Sequence, residues 1–177
     1  MTATTTSPPV CRRCLSDETV SGLAVDDQGV CNHGHIQDTL DRLYPLNDEG
    51  HQELLAIVER IKRDGRRGPY DCIVGISGGR DTCYCLYMTK QLGLRPLAVH
   101  FDNGWDSEIA KTNLRNVLEK LDVDLHTVVA DWEESRELTN CTIRASLPYI
   151  DMTDDVGIVS ALYRTAAQEK IRWIIHS

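Results

Sequence analysis

Asp71-Cys72-Ile73-Val74-Gly75-Ile76-Ser77-Gly78-Gly79-Arg80-Asp81-Thr82 joins an apolar run to a glycine turn and then to a helical pattern. The run 73–76 is too short for a helix and suits a parallel strand covered on both faces. Ser77, Gly78 and Gly79 supply a hydroxyl, two residues free of Cβ and a series of backbone N–H groups at the start of the next helix. Such a turn can wrap a polyphosphate at the helix N-terminus, and Asp81 can then hold a Mg²⁺ that bridges phosphate oxygens. The turn lacks both the three glycines of the dinucleotide fingerprint and the Gly-Lys-Ser/Thr ending of the Walker loop. It points to ATP chemistry of another type.

Before this stretch, Leu54, Leu55, Ile57, Val58 and Ile61 recur at helical spacing over 49–63, and Gly65 with Gly68-Pro69 stops the helix. After it, strands and helices alternate as in a parallel sheet. The expected strands are 72–76, 96–101, 125–129 and 173–175, and the expected helices are 81–92, 107–121, 132–147 and 153–169. The fold class is therefore α/β, a parallel sheet with helices on both faces. Open sheets of this kind bind ligands at the carboxyl ends of their strands, which is where 77–82 and Asp102-Asn103-Gly104 fall.

The amino-terminal part is different. Residues 1–10, rich in Thr, Ser and Pro, read as a loose tail with neither the basic start nor the apolar core of a signal peptide. Residues 11–36 lack periodicity and carry Cys11-x-x-Cys14, then Cys31 with His33 and His35. Thiolates with an imidazole suit a structural, tetrahedral Zn²⁺, which would order a segment too poor in apolar residues to fold alone. One residue between Cys31 and His33 is tight, whereas Cys31-x-x-x-His35 allows a normal turn, so the expected ligands are Cys11, Cys14, Cys31 and His35.

Composition excludes several classes. The 177 residues suffice for one domain and a small appendage, and no apolar stretch is long enough to insert in a membrane. Seven cysteines, an odd number, argue against a secreted disulfide scaffold and for a reducing cytoplasm. A net charge of −8 argues against nucleic acid as a partner. The basic run 60–67 sits at a helix end, where cations complement the helix dipole.

Ser77-Gly78-Gly79-Arg80-Asp81-Thr82 resembles the Ser-Gly-Gly-x-Asp-Ser signature of the PP-loop ATP pyrophosphatases, with Thr82 keeping the hydroxyl where Ser is usual. Within that superfamily the order of features is similar to the N-acetyl sugar amidotransferases of bacterial surface-polysaccharide (lipopolysaccharide O-antigen) synthesis. The likeness rests on Cys11-x-x-Cys14, Gly29-Val30-Cys31-Asn32, the stretch 73–82, Leu94-Arg95-Pro96-Leu97-Ala98-Val99, Phe101-Asp102-Asn103-Gly104-Trp105 and the stretch 144–161.

The resemblance implies an ATP-dependent C–N ligase. Such an enzyme adenylates an oxygen of an N-acetylated or uronic acid nucleotide sugar and transfers ammonia supplied by a partner glutaminase. Ser77, Gly78, Gly79 and Thr82 would cradle pyrophosphate, Asp81 would bind Mg²⁺, Arg80 would add charge, and Asp102 and Asn103 would meet the adenosine. In that setting 37–177 is the ATP-binding domain, expected to be incomplete at its C-terminus, because family chains continue past a Gly-His-Ser where this sequence has Ile175-His176-Ser177. The family's second Cys-x-x-Cys is also replaced, with Gly34 and His35 near the expected cysteine.

Other readings compete. Asp102-Asn103-Gly104 is a good turn sequence, and Asp151, Asp154 and Asp155 can simply open a helix. Cys141 can be a nucleophile or packing, and Trp105 and Trp132 core or pocket lining. At the level of function the rivals are a thiolase-like PP-loop enzyme that adenylates a tRNA base and an ATP-binding remnant without turnover.

Overall fold

The computed structural model describes residues 10–17 and 19–177. The tail expected over 1–10 lies outside the described residues apart from Val10. Two compact units divide the chain, Met1–Leu55 and Ala56–Ser177.

In the first unit, order before residue 31 comes from turns. Cys11 N–H donates to the Ser16 carbonyl (2.8 Å) and Arg12 N–H to the Gly29 carbonyl (2.9 Å). The Asp26 carboxylate accepts from the backbone N–H groups of Gln28 and Val30, both at 2.9 Å. An isolated antiparallel bridge joins Val25 to Cys31. Helix α1 (Asn32–Leu43) follows directly, and the boundary expected at 36/37 falls inside it. Ile36, Leu40 and Leu43 recur at helical spacing, but the stripe they form is exposed and Gly34 is the helix's buried residue. Helix α2 (Asp48–Gly65) begins in the first unit and continues into the second.

The second unit is a four-stranded parallel sheet in the order β3-β2-β1-β4, built from β1 (Cys72–Gly75), β2 (Pro96–Asp102), β3 (Leu125–Val129) and β4 (Ile174–Ile175). Helices α3 (Arg80–Gln91), α4 (Glu108–Leu121), α5 (Trp132–Arg144) and α6 (Met152–Glu169) connect the strands. Successive strand residues point to opposite faces, and both faces are covered. Cys72, Val74 and Ala98 pack with Val58 and Ile61 of α2, Leu86 of α3, and Leu114 and Leu118 of α4. Ile73, Leu97 and Val99 pack with Leu162 and Ala166 of α6. The α/β expectation is borne out, and element ends differ by at most three residues. The largest shift is α5, which ends at Arg144, with Ser146 following at φ +53°.

The amino end of the sheet is closed by an ion pair whose carboxylate is buried and whose guanidinium is half exposed. Asp71, 4% exposed, accepts from Arg95 N–H (2.8 Å), Nε (3.2 Å) and NH2 (2.7 Å). Arg95 also donates to the carbonyls of Gly65 and Gly68, both at 3.0 Å, so it ties the end of α2 to β1 and β2. The Asp71 hydrogen bond holds the Arg95 guanidinium above its ordinary value. No described helix is long and apolar enough to cross a membrane.

Candidate functional site

At the opposite end of the sheet, β1 runs into the glycine turn. Ile76 N–H donates to the Val99 carbonyl at 2.9 Å, one step beyond the last β1–β2 pair. Ser77 N–H then donates to Thr82 Oγ1 (3.3 Å), and Thr82 Oγ1 donates to the Gly79 carbonyl (3.2 Å), which folds the turn over the start of α3. Gly79 is the N-cap and offers no side-chain acceptor, so the first N–H groups of α3 keep their capacity for an anion. Gly78 is at φ +78°, and a Cβ there would run into the carbonyl of Ala110 on α4. Two independent constraints thus require glycine at 78.

Arg80 and Asp81 open α3 with exposed side chains, 93% and 78% respectively, joined by an Nε–Oδ1 contact of 3.4 Å. Both are free to turn toward a phosphate or a cation. A cavity of about 450 Å³ lies beside the turn, lined by Gly75, Ser77 and Thr82, by Phe101 of β2, by Asp155, Ile158 and Leu162 of α6, and by His176 after β4. Its floor is therefore the carboxyl ends of three neighbouring strands, where an open α/β sheet offers a crevice.

The structure brings Ser77, Gly78, Gly79, Arg80, Asp81 and Thr82 together and gives Asp102 and Asn103 turn bonds. Asp102 Oδ1 accepts from Gly104 N–H (2.9 Å) and Asn103 Oδ1 from Trp105 N–H (3.0 Å). Neither lines the 450 Å³ cavity, whereas their neighbour Phe101 does. Gly104, at φ +84°, lies against the Trp132 ring, and Trp105 and Trp132 stack edge to face with centroids 4.9 Å apart. Asp151 is the N-cap of α6 without a side-chain cap bond, and Asp154 and Asp155 occupy its first turn. Asp155 accepts from the Tyr149 hydroxyl, which holds that phenol above its ordinary value. Cys141 is exposed on α5.

Sequence reasoning missed His100 and Asp106. His100 is 6% exposed on β2, with Nδ1 2.9 Å from the Ile76 carbonyl and Nε2 2.9 Å from Asp106 Oδ2. The one available signal was alternation along β2, which puts His100 on the same inward face as Ala98.

In the first unit Cys11, Cys14 and Cys31 form a cluster whose sulfurs all lie within 4.8 Å of one another, with Cys14 Sγ 3.6 Å from Cys31 Sγ. Sulfurs around a tetrahedral Zn²⁺ with bonds near 2.3 Å stand about 3.8 Å apart, so the three thiols fit such an ion. Backbone N–H groups of Cys14, Arg13 and Cys31 aim at the Cys11 sulfur and lower its thiol to about 6 against the effect of burial. Gly34 N–H pulls the Cys31 thiol down, but burial and the neighbouring Cys14 and Cys11 thiols outweigh it and push it up. His35 is outside the cluster: its Nε2 is 2.7 Å from Asp26 Oδ2. Three sulfurs leave one coordination position for a ligand other than those gathered here. The remaining inward cysteines belong to the core, and burial pushes Cys72 up to about 12 and raises Cys83 and Cys85.

No protein-family model matches the chain. Among curated proteins it is 34% identical over 93 residues to the uncharacterized protein MJ1599 of Methanocaldococcus jannaschii, covering 51% of this chain and 33% of that one. The chain thus spans about a third of that relative's length. Among solved structures, the NMN synthetase of Francisella tularensis superposes with a TM-score of 0.50 at 14% identity, covering 68% of this chain and 50% of that one. The NAD+ synthetase of Burkholderia pseudomallei (TM-score 0.38, 19% identity, 68% of this chain and 57% of that one) is also similar. So is the U34-tRNA thiolase NcsA of Methanococcus maripaludis, solved with its [4Fe-4S] cluster (TM-score 0.42, 14% identity, 97% and 54%). The likeness to NMN synthetase shows the fold alone, a parallel α/β sheet, and the chain spans about half the length of that solved chain.

Proposed function

We propose that this chain carries the ATP-binding domain of a PP-loop synthetase, an enzyme that adenylates its substrate and releases pyrophosphate. The observation that carries the reading is the uncapped start of α3 behind Ser77-Gly78-Gly79, opening beside a cavity at the carboxyl ends of β1, β2 and β4. Ser77, Gly78, Gly79 and Thr82 would receive the pyrophosphate oxygens, Asp81 would hold Mg²⁺, and Arg80 would offset the charge that develops on the leaving group. Asp102 and Asn103 would act on the adenosine indirectly, through the turn that follows Phe101.

Within that class we favour an amidotransferase acting on an N-acetylated or uronic acid nucleotide sugar in the cytoplasm, with ammonia from a partner glutaminase. The sequence resemblance supports this choice. So does a second cavity of about 300 Å³ that shares Phe101 and carries Asp131, Glu134 and Asp154: these carboxylates would attract ammonium and one would take its proton, leaving neutral ammonia to attack the activated sugar as AMP departs. The cysteine cluster would hold a structural Zn²⁺. The rival reading, adenylation of a tRNA base followed by sulfur transfer, draws support from the three-thiol cluster and its open coordination position. The net charge of −8 weighs against it.

Calorimetry of ATP with Mg²⁺ tests the class. Binding by the wild type that disappears in a Ser77→Ala, Asp81→Ala double variant supports it; a folded wild type that binds no ATP sinks it. Pyrophosphate release stimulated by nucleotide sugars with ammonia, against release stimulated by tRNA, then separates the two substrates.

A further inference from the structure

His100 faces two acceptors. The Ile76 carbonyl carries no proton, an ionised Asp106 carries none, and both lie 2.9 Å from a ring nitrogen. A neutral imidazole has a single N–H, so one of the two contacts would set lone pair against lone pair in a site where the His100 side chain is 7% exposed. One extra proton is required on the pair. With that proton on the ring, both nitrogens donate and both acceptors are satisfied.

What that ring holds is the peptide unit leading into the glycine turn. The Ile76 carbonyl and the Ser77 N–H belong to one planar group. His100 grips the carbonyl end, while the N–H end donates to Thr82 Oγ1 at 3.3 Å. Ile76 N–H is itself fixed on the Val99 carbonyl, so β2 clamps this residue from both sides. Asp106 immediately precedes Ser107, the N-cap of α4, and α4 meets the turn again through Asn113 Nδ2, 3.3 Å from the Gly78 carbonyl.

We propose that His100, held as an imidazolium between the Ile76 carbonyl and Asp106, is a positioning residue that sets the plane of the Ile76–Ser77 peptide and thereby the phosphate cradle. The cradle's role rests on the ATP reading above, whereas the charge state of the ring and the peptide orientation do not. The imidazolium and carboxylate together are neutral, so the pair orients the turn without adding net charge to it.

Two isosteres separate this role from simple packing. Asn at position 100 places its amide nitrogen where Nδ1 stands and can still donate to the Ile76 carbonyl. Gln reaches the Nε2 position and can still meet Asp106. Long-range proton–nitrogen NMR of the wild type is expected to show both ring nitrogens of His100 protonated. His100→Ala is expected to weaken ATP binding roughly tenfold, the loss of one hydrogen bond from a charged donor. His100→Asn is expected to restore most of that loss and to return the Ser77 amide resonance to its wild-type position, and His100→Gln to do neither. A singly protonated ring in the wild type overturns the proposal, as does a Ser77 resonance or an ATP affinity that Asn and Gln affect alike. A folded wild type that binds no ATP overturns the ATP reading instead, and the ring and Ser77 resonances still decide the role of His100.

Discussion

Among the described residues of 10–55 the side chains with no accessible surface are two thiols, Cys11 and Cys31, whereas in 56–177 they include Ile73, Val74 and Leu86. The first unit leaves Ile36, Leu40, Leu43 and Leu46 exposed; the second closes apolar layers on both sides of its sheet. One unit is arranged around ligand atoms and turn bonds, the other around burial. Agents that strip a metal and substitutions that open a core should therefore act on different residues.

Metal removal has the largest expected effect. Zinc bound to the isolated protein by Cys11, Cys14 and Cys31, then withdrawn by a strong chelator, is expected to release amide protection throughout 10–47 while β1 and β2 keep theirs. Loss of protection in both units together would contradict the contrast. Next is Arg95→Ala, which leaves the buried Asp71 carboxylate without its partner. Because the Arg95 side chain is itself 49% exposed, a cost of about 2 kcal/mol is expected in urea unfolding of the second unit, with zinc stoichiometry unchanged.

Gly78→Ala separates function from stability inside the second unit. The collision with the Ala110 carbonyl displaces the turn at a cost of about 1–3 kcal/mol, and a roughly ten- to hundredfold fall in ATP affinity by calorimetry is expected. The pH response belongs to the first unit. A thiol lowered to about 6 stabilises the ordered state above its unfolded value, and that contribution is lost as the pH falls through about 6. Metal affinity is expected to fall over the same range, by roughly tenfold per pH unit for each proton displaced, in a chelator-competition titration. Asn113→Ala, which removes a partly solvated bond to the Gly78 carbonyl, should cost the least, about 0.5 kcal/mol and roughly twofold in ATP affinity.

Legibility followed burial. β1 and β2 could be read because their apolar runs meet cover on both faces, β3 from its short β-branched run although it is an exposed edge strand, and α2, α4 and α6 because their apolar stripes face that sheet. Helix α1 was overlooked although Ile36, Leu40 and Leu43 recur at helical spacing: the stripe is short and faces solvent, and its amino end coincides with Cys31, which spacing alone presents as a ligand in a loop. Among site residues, the turn 77–82 was legible because glycines after a buried strand have few other uses. His35 was chosen from spacing, and spacing carries no knowledge of Asp26, which meets its ring from nine positions earlier in the chain.

Local chemistry along the chain was enough to establish the α/β class, the glycine turn and the three sulfurs, because strand periodicity, glycine and the Cys-x-x-Cys spacing act over a few residues. The cavity beside the turn, the Asp71–Arg95 clamp and the His100 bridge join groups 24 or more positions apart in their longest links, Arg95 to Asp71 and His100 to Ile76 among them. No short-range pattern encodes such links. They exist once parallel pairing lays β2 beside β1 in one register, which sets the Ile76 carbonyl opposite an imidazole and Asp71 opposite a guanidinium.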